Sequence, residues 1–405
     1  MVATAIALAW ANSPWSGGYE SLWTTEVRLS VGGFELSEDL RHWVNDALMV
    51  IFFFVVGLEI KRELVVGELN DLRKASLPIV AALGGMIVPA AFYLALNTSG
   101  AGTTGWGIPM ATDIAFAIGV LALLSNRVPS GLKVFLLSLA IVDDIGAILV
   151  IAVFYAGGVE FAWLTAAAAG VVLILVLRRA NVYWVPVYVV IGAGVWLATL
   201  ESGVHATIAG VALGLLAPAR ATDPGGFSDV LQRASELSSE PDAYSLRGVA
   251  LQANETVSVA ERLEHLLHPW SSFLIIPLFA LANAGVVLSS EALGDAVTSR
   301  ITLGIVLGLV AGKLIGISGA SWLAIRFGLA RAPEGVGWIH LVGGAAVAGI
   351  GFTVSLFITA LAFDDPSVVG AAKIGVLAAS LIAGAIGAAL LLRAEPASES
   401  VGAEA

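Results

Sequence analysis

Two aspartates stand side by side in the middle of an apolar run, Leu139-Ala140-Ile141-Val142-Asp143-Asp144-Ile145-Gly146-Ala147-Ile148-Leu149-Val150. The run from about Val134 to Tyr155 has the length of a membrane span, and a charged carboxylate near a bilayer centre costs about 2.5–3.5 kcal/mol. A second one roughly doubles that cost. Hydrocarbon cannot solvate either group, so both must face protein, water or a bound cation, and ion or proton handling is the first function to expect of such a chain.

The rest of the sequence agrees with a membrane setting. Of 405 residues, 58% are hydrophobic and only 13% charged, with a mean hydropathy of +0.91, outside the range of soluble domains of this size. The 45 glycines suit close helix packing in lipid. There is no cysteine, which excludes disulfides, thiolate metal sites and cysteine nucleophiles. A net charge of -11 argues against a nucleic-acid partner.

Met1 to Trp10 is apolar but reaches Asn12 and Pro14 after about 12 residues, roughly 18 Å of helix against about 30 Å of hydrocarbon. It reads as a shortened first helix, since it lacks the basic start and cleavage site of a signal peptide. Next, apolar and polar residues alternate on either side of Gly32-Gly33, which predicts a β-hairpin over about 27–36. An isolated hairpin is marginal in water, so a second copy of the chain is its simplest partner, and a homodimer is expected.

Apolar segments follow at about 42–60, 75–97, 105–125, 131–156, 160–177, 183–200, 202–218, 270–289, 301–325, 337–362 and 368–392, predicting about twelve transmembrane helices with the first. The fold class expected is an all-α polytopic membrane protein, one transporter domain over 1–405, with a polar cytoplasmic loop at about 219–268 and a small extracytoplasmic hairpin. Alternate loops place Lys61, Arg62, Arg73, Lys74, Arg178, Arg179 and most other basic residues on one face. The opposite face keeps only Arg28, Arg41, Arg300 and Lys373. By the positive-inside rule both termini and the long loop lie in the cytoplasm.

Few ionisable residues fall inside the spans: Asp46, Asp113, Asp143, Asp144 and Lys313. Asp46 is near a helix end, where a capping or solvated carboxylate is as natural as a functional one. Asp113 is different. It belongs to Gly107-Ile108-Pro109-Met110-Ala111-Thr112-Asp113, which has the residues of a helix broken in mid-span, and freed backbone groups are tolerated only where the chain lines a cavity or a neighbour. A second disturbance occurs at Gly343-Gly344-Ala345-Ala346-Val347-Ala348-Gly349-Ile350-Gly351-Phe352-Thr353. Each interruption falls in the middle of a three-span group, and the two groups start seven spans apart, as inverted repeats do. Paired interrupted segments point to a transport site near the midplane, where the two broken helices cross. Asp113 could offset the helix N-termini meeting there, and Lys313 could serve the opposing C-termini or pair an aspartate.

Adjacent helix positions point about 100° apart, so Asp143 and Asp144 cannot form one clamp; one can face the ion while the other pairs Lys313. Oxygen ligands, Thr112 and freed carbonyls among them, suit hard cations such as Na+ and Li+. Burial raises the proton affinity of a carboxylate, so the same site can exchange H+ for a cation.

These residues resemble the NhaA-type bacterial sodium/proton antiporters over nearly the whole chain. The likeness rests on Trp43-Val44-Asn45-Asp46, Gly57-Leu58-Glu59-Ile60-Lys61-Arg62-Glu63-Leu64, Ala111-Thr112-Asp113-Ile114-Ala115-Phe116-Ala117, Ile141-Val142-Asp143-Asp144-Ile145-Gly146-Ala147-Ile148, Glu201-Ser202-Gly203-Val204-His205-Ala206-Thr207, Arg262-Leu263-Glu264-His265-Leu266-Leu267-His268-Pro269-Trp270 and Gly312-Lys313.

The resemblance implies electrogenic, pH-regulated exchange of Na+ or Li+ for H+ across the bacterial cytoplasmic (inner) membrane, serving sodium extrusion and pH homeostasis. Asp144 would be the principal cation ligand, Asp143 the partner of Lys313, and Thr112 and Asp113 would lie at the crossing. Glu59, Arg62, Glu63, Glu264, His265 and His268 would form a cytoplasmic pH-sensing cluster, with His205 modulating it. No cofactor and no catalytic residue is implied, and the hairpin would join two protomers. The shortened first helix and the longer, more acidic loop depart from the family pattern.

Other classes fit less well. An intramembrane aspartyl protease could use Asp113 and Asp144, but the Gly-x-Gly-Asp context is missing at both, and a dyad sharing a proton gains nothing from Lys313. A sodium-coupled symporter would need a polar or aromatic pocket for an organic solute, which the spans lack. A buried lysine–aspartate pair suits protonation-driven gating better than a passive channel.

Overall fold

A computed structural model describes every residue except 32–33, 181, 183, 222–225, 237–247, 250–252, 254–255 and 395–405. The described chain is predominantly helical. Among the described residues, seven helices are long and apolar enough to cross a membrane: Leu40–Val65, Leu72–Leu96, Ser130–Phe154, Phe161–Arg179, Val259–Asn283, Arg300–Arg326 and Pro366–Arg393. Two further pairs, Ala101–Met110 with Ile114–Leu123 and Trp338–Val347 with Phe352–Ala362, are each bent by 43° at a short break, giving up to nine spans. Val2–Ala11, Val185–Glu201 and Thr207–Leu216 are shorter apolar helices.

The chain divides into two compact units, Met1–Leu48 with Asp71–Gly157 and Ile275–Ala405, and Met49–Asn70 with Gly158–Leu274. In the first, Arg300–Arg326 packs along Leu72–Leu96 so closely that a Cβ on either Gly84 or Gly316 would strike the backbone of the other. Small residues permit that approach where no hydrophobic effect drives helices together. The N-terminal segment joins this unit through Tyr19, whose hydroxyl donates to the Leu281 carbonyl at 2.8 Å. Asn12 adds bonds to Val286 and Leu288.

In the second unit the Met49–Val65 portion of its helix packs against Thr207–Leu216, with Gly57 and Gly210 at the seam. A Cβ on Gly57 would lie 2.7 Å from the Val211 carbonyl. Val259–Trp270 packs on the same helix, and Leu58, Ala217, Ala219 and Ala260 form a small buried cluster.

The hairpin is present and longer than its sequence signal. Strand β1 (Glu26–Val31) pairs antiparallel with β2 (Phe34–Asp39), with Val31 opposite Phe34 and Glu26 opposite Asp39. The Gly32-Gly33 turn lies outside the described residues. Trp43 Nε1 donates to the Val27 carbonyl at 3.1 Å, tying the hairpin to the helix that follows. That helix begins at Asp39, whose carboxylate accepts from His42 N at 2.7 Å as an N-cap should.

One boundary is corrected. The loop expected through His268 ends ten residues earlier, where the Ser258 hydroxyl accepts from Glu261 N at 3.2 Å and starts the helix Val259–Asn283. Sequence polarity misled here: Glu261, Arg262, Glu264, His265 and His268 make an amphipathic helical turn look like loop. A short helix, Phe227–Glu236, also interrupts the loop.

Candidate functional site

Asp143 and Asp144 sit midway along Ser130–Phe154, both buried. Lys313, on Arg300–Arg326 and wholly buried, donates its ammonium to Asp143 Oδ2. The same oxygen accepts from Thr112 Oγ1 at 2.6 Å. Asp143 Oδ1 is buried with no hydrogen-bond partner. A carboxylate, an ammonium and a hydroxyl therefore meet out of water, where an uncompensated charge would be strongly destabilising. Asp144 occupies the next helix position and so faces another direction.

Thr112 lies in the break of the first interrupted segment. Ala101–Met110 is a 3₁₀ helix; Ala111 to Asp113 runs extended; Ile114–Leu123 is α-helical. Pro109 lacks an N–H for a regular helix, and freeing the carbonyls and N–H groups around the break creates a need for partners.

The second break supplies those partners. Thr112 Oγ1 also lies 2.9 Å from the Ala348 carbonyl, which shares the hydroxyl's single proton with Asp143 Oδ2, and Asp113 N donates to the Ile350 carbonyl at 2.6 Å. Asp113 closes the junction from the other side: Oδ1 accepts from Phe116 N at 3.1 Å, while Oδ2 accepts from Thr353 N at 2.9 Å and Thr353 Oγ1 at 2.6 Å. One carboxylate thus caps two helix N-termini, Ile114–Leu123 and Phe352–Ala362, where negative charge is favoured. The two interrupted segments meet at their breaks, as the paired glycine and proline signals suggested. Thr353 and the carbonyls of Ala348 and Ile350 were missed by sequence reasoning, although the density of glycine up to Gly351 marked where they would lie.

Lys313 owes its position to local packing. A π-helical turn, Gly308–Gly312, precedes it, and Pro89 of the facing helix lies against it; a Cβ on Gly312 would fall 2.7 Å from Pro89 Cα. π turns recur at functional sites. A cleft of about 170 Å³ runs from Thr112 and Ala348, between Ile114–Leu123 and the Leu136–Ala140 stretch, to the exposed Lys133. Beside the Lys313 ammonium, the carboxylate of Asp143, the Thr112 hydroxyl and the Ala348 carbonyl present oxygen atoms, the ligand type that suits a small hard cation.

Among the other candidates, Asp46 lies in a π turn, Val44–Leu48, beside Asn45, whose Oδ1 accepts from Asn283 Nδ2 at 2.8 Å. In the second unit, Arg62 Nη1 lies 3.3 Å from Glu264 Oε1 and Arg62 Nη2 lies 3.7 Å from Glu63 Oε1. Glu63 also accepts from Glu68 N at 3.0 Å. Glu59 stands one turn before Arg62 and Glu63 on the same helix, near enough to interact electrostatically with them and with Glu264. His265 and His268 are exposed on the helix that carries Glu264. The structure brings Arg62, Glu63 and Glu264 together where the charged end of Met49–Val65 meets the amphipathic start of Val259–Asn283. His205 lies in the turn before Thr207–Leu216, where its carbonyl accepts from Ile208 N at 3.0 Å.

A family described as Na+/H+ antiporter 1 matches residues 1–391. The chain is 49% identical to Na(+)/H(+) antiporter NhaA 2 of Sorangium cellulosum over 400 residues, covering 96% of this chain and 86% of that protein. It is 48% identical to Na(+)/H(+) antiporter NhaA 3 of Frankia alni, covering 96% and 84%. It is 47% identical to Na(+)/H(+) antiporter NhaA of Oleidesulfovibrio alaskensis, covering 97% and 90%. With two interrupted helices meeting over a buried aspartate–lysine pair, and with these matches along nearly its whole length, the chain belongs to the Na+/H+ antiporter 1 family.

Proposed function

We propose that this protein is a secondary active transporter that exchanges Na+, or Li+, for H+ across the bacterial cytoplasmic membrane. The observation that carries the proposal is the convergence of Lys313 and Thr112 on buried Asp143, which neighbours Asp144 on the same helix. Asp144 supplies the full negative charge that a dehydrated monovalent cation needs, and Thr112 and the free Oδ1 of Asp143 supply further oxygens. Asp143 and Lys313 neutralise one another, so binding a cation at Asp144 need not create net buried charge.

Protons and the cation compete for the same carboxylates, which makes the two bindings mutually exclusive and the transport an exchange. More protons than sodium ions move in each cycle. Net charge then crosses the membrane, and each charge couples to about 2.3 kcal/mol per 100 mV. The two interrupted segments belong to inverted three-helix repeats among about twelve spans, and alternating access exposes Asp144 to each side in turn. Asp113 holds the meeting N-termini, and Asp46 lies along the extracytoplasmic approach.

The Glu59, Arg62, Glu63 and Glu264 cluster, with His265, His268 and His205, sets the pH range of activity from the cytoplasmic side. The termini and the loop after Thr207–Leu216 face the cytoplasm, the basic-rich side. The hairpin pairs with that of a second protomer through its strand edges. The transporter serves sodium extrusion and pH homeostasis without a cofactor or enzymatic step.

The deciding experiment is the sodium-induced pH change inside proteoliposomes, measured at zero and at imposed membrane potential. Antiport predicts sodium-driven proton flux in the opposite direction, faster or slower according to the sign of the potential. No proton movement with sodium would reject antiport; flux indifferent to voltage would reject electrogenicity.

A further inference from the structure

The 3₁₀ half of the first interrupted segment, Ala101–Met110, runs for ten residues. Such helices seldom exceed three or four, because their hydrogen bonds are poorly aligned. Something outside the segment must hold it. Two phenols do so: Tyr93 Oη donates to the Gly102 carbonyl at 2.7 Å, and Tyr155 Oη donates to the Thr104 carbonyl at 2.6 Å. Tyr155 Oη also accepts from Gly107 N at 3.2 Å. The fit leaves no spare room, since a Cβ on Gly107 would lie 2.7 Å from that oxygen.

Tyr155 directly follows Ser130–Phe154, the helix of Asp143 and Asp144. The interrupted segment is therefore tied to that helix at two places, by Tyr155 at one end and by Thr112 to Asp143 at the other. Resting on the antiport reading, the second tie involves a carboxylate whose partners change as cation replaces proton. The first involves only a neutral phenol and backbone, and persists through the exchange.

We propose that the Tyr155 hydroxyl is a positioning group for cation binding: it fixes the 3₁₀ half-helix to the aspartate helix so that Thr112 returns to register with Asp143 and Asp144 in every cycle. Without it the half-helix loses a bonded anchor on that side, and Thr112 samples positions too far from the aspartates to share a small ion with them. The cost falls on ion affinity and not on the chemistry of proton release.

The test is Tyr155→Phe, which keeps the ring and removes only the hydroxyl. Na+ and Li+ binding is measured by calorimetry, and sodium-driven pH change in proteoliposomes gives KM and kcat. The expected result is about fivefold weaker Na+ binding and an equal rise in KM, the effect of one well-placed hydrogen bond. The value of kcat should stay within about twofold. Gly107→Ala should weaken binding similarly by crowding the hydroxyl, and should add less in the Tyr155→Phe background, where the clash with the oxygen is gone and only the ring-carbon contacts at 3.1 and 3.3 Å remain.

Unchanged Na+ affinity in Tyr155→Phe would overturn the proposal. So would a fall in kcat and melting temperature with KM unchanged, or strictly additive effects of the two substitutions. A wild-type protein that binds Na+ but drives no proton flux would refute antiport alone; the calorimetric comparison would still decide the role of Tyr155. Wild-type protein without Na+ binding would overturn both.

Discussion

Lys313 and Thr112 donate to the same oxygen of Asp143, Oδ2, and leave its Oδ1 buried without a partner. The arrangement neutralises the carboxylate from one side only. Removing either charge of the Asp143–Lys313 pair leaves the other uncompensated in a low-dielectric site.

Asp143→Asn and Lys313→Gln should each lower stability by about 3–5 kcal/mol, and the double substitution should recover much of the loss. A neutral pair has no desolvation penalty to offset, so the two effects should be strongly non-additive. Melting curves in detergent at pH 7 for the four proteins check this. A double-mutant shift equal to the sum of the single shifts would contradict the pairing.

Asp144→Asn should abolish Na+ and Li+ binding while leaving the fold intact. The amide has the size of the acid but not its charge, and the attraction of a charge for a dehydrated cation is large where the local dielectric is low. Calorimetry with NaCl and LiCl on the purified variant reads the result directly. Wild-type affinity would remove Asp144 from the cation site.

Thr353→Ala should destabilise the junction of the interrupted helices by about 1–3 kcal/mol. It deletes the 2.6 Å hydroxyl bond to Asp113 Oδ2 and leaves the backbone bond from Thr353 N in place. Thr353→Ser keeps the hydroxyl and should restore most of the stability. Equal melting temperatures for the alanine variant and the wild type would show that the hydroxyl contributes nothing.

Gly210→Ala should cost about 1–3 kcal/mol through overpacking. Its Cβ would press on the Val50 carbonyl across the tight seam between Thr207–Leu216 and the facing helix. By contrast Gly194→Ala, where nothing lies within 4 Å, should be neutral or slightly stabilising. Thermal shift of the two variants side by side distinguishes local crowding from a general intolerance of helix glycines.

Much of this site was legible because charge is conspicuous in an apolar sequence. Asp143, Asp144, Asp113 and Lys313 stand out in hydrophobic runs, and the pairing of Asp143 with Lys313 is what the structure contains. The glycine and proline clusters located both breaks. Their partners were illegible for a physical reason: the carbonyls of Ala348 and Ile350 are backbone atoms that any residue would present. Thr353 is one of many threonines, and only the helix end beside Asp113 makes it a cap. The hairpin announced itself through alternation, whereas Val259–Asn283 hid its first ten residues behind polar side chains that a membrane-interface helix carries naturally. Of the cytoplasmic cluster that family likeness implied, Glu59, Arg62, Glu63, Glu264, His265 and His268 with His205, the structure places Arg62 against Glu63 and Glu264.

The π turn at Gly308–Gly312 makes the length of that helix a matter of phase as well as reach. A π turn accommodates an extra residue within an otherwise regular helix, and each residue of an α-helix advances the azimuth by about 100°. Deleting one glycine from Gly308–Gly312 would let the stretch close to a regular α-helix, and because the wider turn already absorbs one residue, both flanks would keep their bearing and Lys313 would still face Asp143. The same deletion within the regular turns of Arg300–Leu307 has no slack to absorb it and would swing one part of the helix by about 100° relative to the other. The glycine turn thus acts as slack in the helix, holding the compass bearing of the lysine against a change in length.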